Sequence, residues 1–306
     1  MQMNAIRPAA LPGELAPGYA GRFVTLNGFS SWVQACKQLF SHDATRYWDD
    51  HSSEDEDVLA QIAGLSAAEL VSRHTLKPLL RGFVKPSRKL LGTSHHPRYS
   101  RRKFSYFCEV CAEEDVAFHG TSYWRREHQL VGMHWCLKHG IPLRYDTWRA
   151  PIVRSPSACL PVSQVVDRAW LDVRAMFPAV TQTLELASEL LDVAGRADLK
   201  QVNMRLKQLL IERQMFHGGS HTGLLLLSDL LLEQFDPVWL EEVIPAFANK
   251  EPGVFIRAID LLGSASFPGS STVYVPALIA LTGSVDAALN LVSASAPRRH
   301  AAMPVA

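Results

Sequence analysis

Four residues near the middle of the chain have the types and spacing to hold a metal ion. Cys108-Glu-Val-Cys111 and Cys136-Leu-Lys-His139 each place two donors at the ends of a two-residue gap. Such a gap lets one tight turn aim both side chains at a single ion. A separation of roughly two dozen residues lets two such turns face each other, as in treble-clef or ribbon zinc sites. Three thiolates and one imidazole complete a tetrahedron with no open position, so the pattern predicts one structural Zn2+ rather than a catalytic centre. His128 and His134 compete with His139 for the fourth place. His134 falls two residues before Cys136 and breaks the symmetry of the pairs, while His128 could pack beneath the metal or hydrogen-bond a ligand sulfur.

Other chemistry is hard to find. Glu113, Glu114, Asp115 and His119 lie near the metal pattern, but four protein ligands leave no place for an activated water. There is no Gly-Lys-Ser/Thr phosphate loop and no nucleophile elbow, so no enzymatic activity is expected. The aromatics around the ligands, Phe104, Tyr106, Phe107, Tyr123, Trp124 and Trp135, read better as a small core packed on the metal than as base-stacking groups.

The elements that must position these residues are mostly helical. Tyr19, Phe23 and Leu26 share a helical spacing that stops at Asn27-Gly28, and Ser31 with Gln34 resembles a capping box ahead of Trp32, Cys36 and Leu39. Ser53 with Glu56 and Ser66 with Glu69 can cap two short helices joined through Gly64-Leu65-Ser66, the pattern of a helix-turn-helix. The same pattern also serves an ordinary helical hairpin without a nucleic-acid role. Between residues 81 and 103 the chain carries Arg81, Lys85, Arg88, Lys89, Arg98, Arg101, Arg102 and Lys103 with no Asp or Glu. Such a run suits phosphates or an acidic partner, and it equally suits a solvated face. Pro151, Pro156 and Pro161 mark a connection. Helical stripes then follow over 164–177, 182–194, 201–216, 222–235 and 253–262, ending in a last pair whose second helix Ser284 is placed to cap.

Composition fits a chain of two or three packed units. Of the 306 residues, 47% are hydrophobic and 20% charged, with a formal net charge of +1, so any basic surface must be local. Five cysteines, three of them in one stretch, fit metal binding in a reducing compartment better than a disulfide framework. No export signal opens the chain, and its most apolar stretches are too short to cross a bilayer, so a cytoplasmic protein with no membrane association is expected.

The run FCEVCAEEDVAFHGTSYWRREHQLVGMHWCLKHGIPLR resembles the TniQ family of transposition target-selection proteins. The resemblance is carried by Cys108, Cys111, Asp115, Tyr123-Trp124-Arg125, His128-Gln129-Leu130, Gly132, Cys136, His139-Gly140 and Pro142-Leu143. The segment PGELAPGYAGRFVTLNGFSSW is similar to the family's opening, with Pro17 interrupting a helix that family members usually keep continuous. The helix pair at 58–75 sits where the family has its helix-turn-helix.

The resemblance implies an accessory protein of CRISPR-associated and related transposons. Such a protein contacts target DNA or a DNA-bound CRISPR effector ribonucleoprotein, often as a homodimer, and recruits an AAA+ transposition regulator. Some members are autonomous sequence-specific DNA binders of the TnsD type. Beside TnsD-type members the C-terminal extension is shortened, so the resemblance implies the adaptor type. Family members often carry a second zinc site, of which only Cys159 remains, so one zinc is expected.

The expected fold is mainly α: an N-terminal helix-turn-helix domain (1–80), a basic segment with a small zinc-finger module (81–150), a C-terminal helical domain (151–296) and a disordered tail (297–306). Nucleic-acid or partner contacts are expected from Arg73, Lys85, Arg88, Lys89, Arg98, Arg101, Arg102, Lys103, Arg125 and Arg126.

Overall fold

In chain order the helices are α1 (Ala16–Leu26), α2 (Trp32–Phe40), α3 (Ser53–Ala63), α4 (Ala67–His74), α5 (Lys77–Gly82), α6 (Glu109–His119), α7 (Pro156–Cys159), α8 (Ala169–Met176), α9 (Pro178–Val193), α10 (Leu199–Glu212), α11 (Leu227–Gln234), α12 (Pro237–Val243), α13 (Arg257–Asp260), α14 (Ser271–Thr282) and α15 (Val285–Ser293). Among the described residues there are also three short strands, β1 (Ser105–Phe107), β2 (Arg144–Asp146) and β3 (Gln164–Val165). This computed structural model describes residues 5–40, 53–82, 102–148, 153–193, 199–216, 224–263 and 270–293. Lys85, Arg88, Lys89, Arg98, Arg101 and the tail from 297 lie outside the described residues, as does the side chain of Ser53. The protein is mainly α-helical.

The described residues pack into two units, one drawn from Met1–Pro78 with Arg98–Pro178 and the other from Leu79–Pro97 with Ala179–Ala306. In the first, Tyr19, Phe23, Trp32, Cys36, Leu59, Ile62 and Leu70 form a buried core among α1 to α4. Pro17 lies in the first turn of α1 and does not interrupt it. There the missing amide N–H costs nothing, because first-turn amides have no partner within the helix. Asn27 caps the end of α1 and Gly28 takes φ +69°, but Leu26 faces outward rather than joining the core stripe. Gln34 N is 3.2 Å from Ser31 Oγ, the expected cap.

The α3–α4 pair is joined as its sequence requires. Gly64 takes φ +68°, a conformation that a Cβ would oppose. Ser66 and Glu69 then form a complete capping box on α4.

The strands form one antiparallel sheet in the order β1-β2-β3, with Tyr106 opposite Tyr145 and Arg144 opposite Val165. Helical spacing over 164–177 did not anticipate β3, because two residues of edge pairing leave almost no periodic signal. The stretch marked by prolines is also more than a connection. Pro156 opens α7, and Cys159 is fully buried against Phe107, Ala112 and Trp124 in the first unit.

The second unit is built around α14, where 10 of the 12 residues are buried. Tyr274 donates its hydroxyl to Asn203, which saturates a polar pair inside that core. Asp260, 1% exposed, accepts from Ser228 N, Ser228 Oγ and Ile256 N and so ties α11 to α13. Burial pushes its carboxyl above the ordinary range against those hydrogen bonds. Ser284 Oγ accepts from Ala287 N at 3.3 Å, the cap expected for α15. The stripe at 222–235 continues directly into an unanticipated helix, α12, although Asp236 as N-cap and Pro237 behind it were a legible start signal. No single helix among the described residues is long and apolar enough to cross a membrane.

Candidate metal centre

The two donor pairs meet in the first unit. Cys108 is the N-cap of α6 and Cys111 sits in its first turn, so both sulfurs lie at the positive end of a helix, which favours thiolates. The second pair sits on a tight loop. Gly140 N donates to Cys136 O (2.8 Å), Cys136 N donates to Ile141 O (2.9 Å), and Gly140 makes the reversal at φ +67°.

One ligand atom from each of Cys108, Cys111, Cys136 and His139 lies within 4.8 Å of all the others. His139 Nδ1 is 3.4 Å from Cys108 Sγ, 3.4 Å from Cys111 Sγ and 3.6 Å from Cys136 Sγ, and the Cys111 and Cys136 sulfurs are 3.7 Å apart. A zinc tetrahedron with about 2.3 Å metal–sulfur and 2.0–2.1 Å metal–nitrogen bonds requires sulfurs about 3.8 Å apart and sulfur–nitrogen separations of about 3.6 Å. The cluster therefore has the dimensions and donor set of a closed structural metal site. The three cysteines are buried, as such a site needs. Hydrogen bonding with Cys108 and Cys111 pushes the Cys136 thiol below its ordinary range, with a smaller contribution from nearby His128.

The other histidines are employed elsewhere. The His134 ring stacks on Trp170 at 4.0 Å between centroids, and His119 meets Tyr123 edge-on. His128 is 2% exposed, and neither ring nitrogen has a hydrogen-bond partner among the described residues. On the far side, His139 Nε2 lies 3.2 Å from Glu114 Oε1.

The basic residues separate into two groups. Arg125 pairs with Asp115 at 2.7 Å, and burial raises the Asp115 carboxyl while that guanidinium opposes the rise. Arg126 is 6% exposed and donates to Ser72 O (2.7 Å), and Arg102 donates to His128 O (3.2 Å) and to Met133 O. Arg73 and Lys103 are exposed, Lys103 lying over the Phe104 ring at 5.1 Å.

Sequence reasoning missed Glu14. This fully buried carboxylate takes a two-pronged contact from Arg22 (2.8 and 2.7 Å), and its backbone bridges to Arg125 in antiparallel fashion. His74 Nδ1 lies 2.9 Å from Glu14 O. An acid eight residues before an arginine, spanning a helix start, carries little local signal, because the pair forms only once α1 has folded.

The chain also matches a known family by sequence. The family model described as TniQ matches residues 5–143, a span that holds all four donors and the α3–α4 pair. The chain carries a TniQ domain. No curated protein matches it. The TniQ domain ties the protein to target selection in transposition. Its packing continues past the matched span: Val166 N donates to Leu143 O (2.9 Å), Trp124 Nε1 to Arg154 O (2.8 Å) and Arg174 Nη1 to Gly140 O (3.1 Å).

Proposed function

We propose that this protein is a non-catalytic target-selection adaptor whose TniQ unit is pinned by one Zn2+ on Cys108, Cys111, Cys136 and His139. It links a target-recognition complex, a CRISPR effector ribonucleoprotein or other DNA-bound assembly, to an AAA+ transposition regulator. The zinc is structural: with four protein donors it organises the fold and offers no site for activating water.

One observation favours an adaptor over a DNA reader. On the α3–α4 pair, which would enter a DNA groove in a helix-turn-helix reader, Asp57 and Glu69 are exposed acids and Arg73 the exposed cation, while Asp55 and Glu56 are buried. Groove-binding helices face phosphates and gain affinity by releasing counterions, so an exposed face without an excess of cations gains little from that approach. A protein partner carries no such penalty. Lys85, Arg88, Lys89, Arg98 and Arg101, with the exposed Arg73 and Lys103, then supply a contact to nucleic acid or to an acidic surface.

The alternative is an autonomous sequence-specific binder of the TnsD type, favoured by that basic run alone. Co-purification from the expressed transposon operon separates the two. The adaptor reading expects the AAA+ regulator or the guide-RNA effector to be retained. It also expects weak DNA binding that is uniform across sequences. Tight preference for one duplex, with neither partner retained, contradicts it.

A further inference from the structure

We propose that Glu114 is a positioning residue of the metal centre, holding the Nε2–H of His139 so that Nδ1 turns its lone pair to the ion. The inference rests on the zinc reading above and deepens it.

The local sequence builds the arrangement. Cys111 and Glu114 stand three residues apart on α6, so a ligand and a carboxylate share one helix face. His139 points Nδ1 at the three sulfurs, and Nε2 meets Glu114 Oε1 at 3.2 Å. The other carboxylate oxygen accepts from Lys138 Nζ, the residue preceding the ligand. Two other acids on α6 have their own partners, Glu109 pairing with Arg144 at 3.0 Å and Asp115 with Arg125 at 2.7 Å.

The physical consequence concerns the tautomer. A neutral imidazole carries its proton on either nitrogen, and only the unprotonated one can bind a metal. A carboxylate at Nε2 selects the Nε2–H form, fixes the ring plane and raises the basicity of Nδ1. His139 is the ligand nearest to solvent, its side chain 16% exposed, so water would otherwise compete for both nitrogens. Glu114 is itself 43% exposed and contributes little to the core.

The test uses the full-length chain and three variants, Glu114→Ala, Glu114→Gln and Lys138→Ala. Zinc affinity is read by competition with a chromophoric chelator, and the ligand field by the visible bands of the Co2+-substituted protein. Glu114→Ala is expected to bind zinc about 10–100-fold more weakly with shifted cobalt bands. Glu114→Gln, which keeps an acceptor but loses the charge, is expected to recover part of that loss, and Lys138→Ala to lose less than Glu114→Ala. Wild-type affinity and unchanged bands in Glu114→Ala overturn the inference alone. A wild-type chain that takes up neither metal overturns the zinc reading and this inference with it.

Discussion

Arg126 donates Nη1 to the Ser72 carbonyl at 2.7 Å, so a side chain from the segment between the two donor pairs closes the C-terminal end of α4. The same guanidinium reaches Thr75 O at 3.5 Å, while the Arg126 amide bonds to Gly13 O and the Leu15 amide to Trp124 O. His74 completes the junction on Glu14 O. The helix pair, the N-terminal segment and the donor-bearing loops are thereby one packed body, and a change at any of the three is felt by the others.

Arg126→Ala is expected to destabilise the first unit by about 2–3 kcal/mol, the scale for losing charged hydrogen bonds to buried carbonyls. Arg126→Lys keeps the charge but lacks the planar fork, so it should recover only part of that loss. Thermal or urea unfolding followed by far-UV circular dichroism reads both.

His74 makes the same junction sensitive to acid. Burial lowers its pKa from the ordinary 6.5; the Glu14 contacts oppose the shift, and Arg126 and Arg73 add to it. The unfolded chain therefore binds the proton at a higher pH than the folded one. The stabilisation is complete above about pH 6.5 and is lost as pH falls from there through the folded value. Unfolding midpoints measured from pH 7.5 to 5 should fall more steeply for the wild type than for His74→Gln.

At the second donor loop, Gly140 combines φ +67° with a Cβ direction that ends 2.6 Å from Arg174 Nη1. Gly140→Ala should cost about 1–2 kcal/mol from backbone strain alone, and displacing Arg174 from Gly140 O adds to it. Arg174→Ala in the same chain removes the clash and leaves the strain. A double-mutant cycle should therefore show Gly140→Ala costing less in the Arg174→Ala background.

The two groups of cations should separate experimentally. Arg125→Ala leaves Asp115, 3% exposed, without its guanidinium partner and is expected to cost about 3 kcal/mol. Arg73→Ala and Lys103→Ala alter exposed side chains and should stay within about 0.5 kcal/mol of the wild type. They should instead weaken retention on the nucleic-acid or effector partner in a salt-dependent way, measured by pull-down at two ionic strengths.

Much of this was legible in the sequence because the signals were local. The two-residue gaps brought together Cys108, Cys111, Cys136 and His139, and Gly64 and Ser66 marked the α3–α4 turn. The inward turn of Arg125 and Arg126 was not legible, because their partners Asp115 and Ser72 are 10 and 54 residues away. Charge in a sequence does not say which side of a surface it faces. The sheet escaped notice for a similar reason: strands of two or three residues are set by pairing across the fold, not by their own periodicity.

The zinc proposed on Cys108, Cys111, Cys136 and His139 would organise the TniQ unit. Metal content of the purified full-length protein, by inductively coupled plasma mass spectrometry, tests it most directly when wild type is set beside Cys108→Ser and Cys136→Ser. About one zinc per chain in the wild type is expected. Loss of that zinc in both variants, with a lower unfolding midpoint, is expected alongside it. A wild type without metal, or variants that keep full zinc and full stability, would rule out a zinc ion on these four donors.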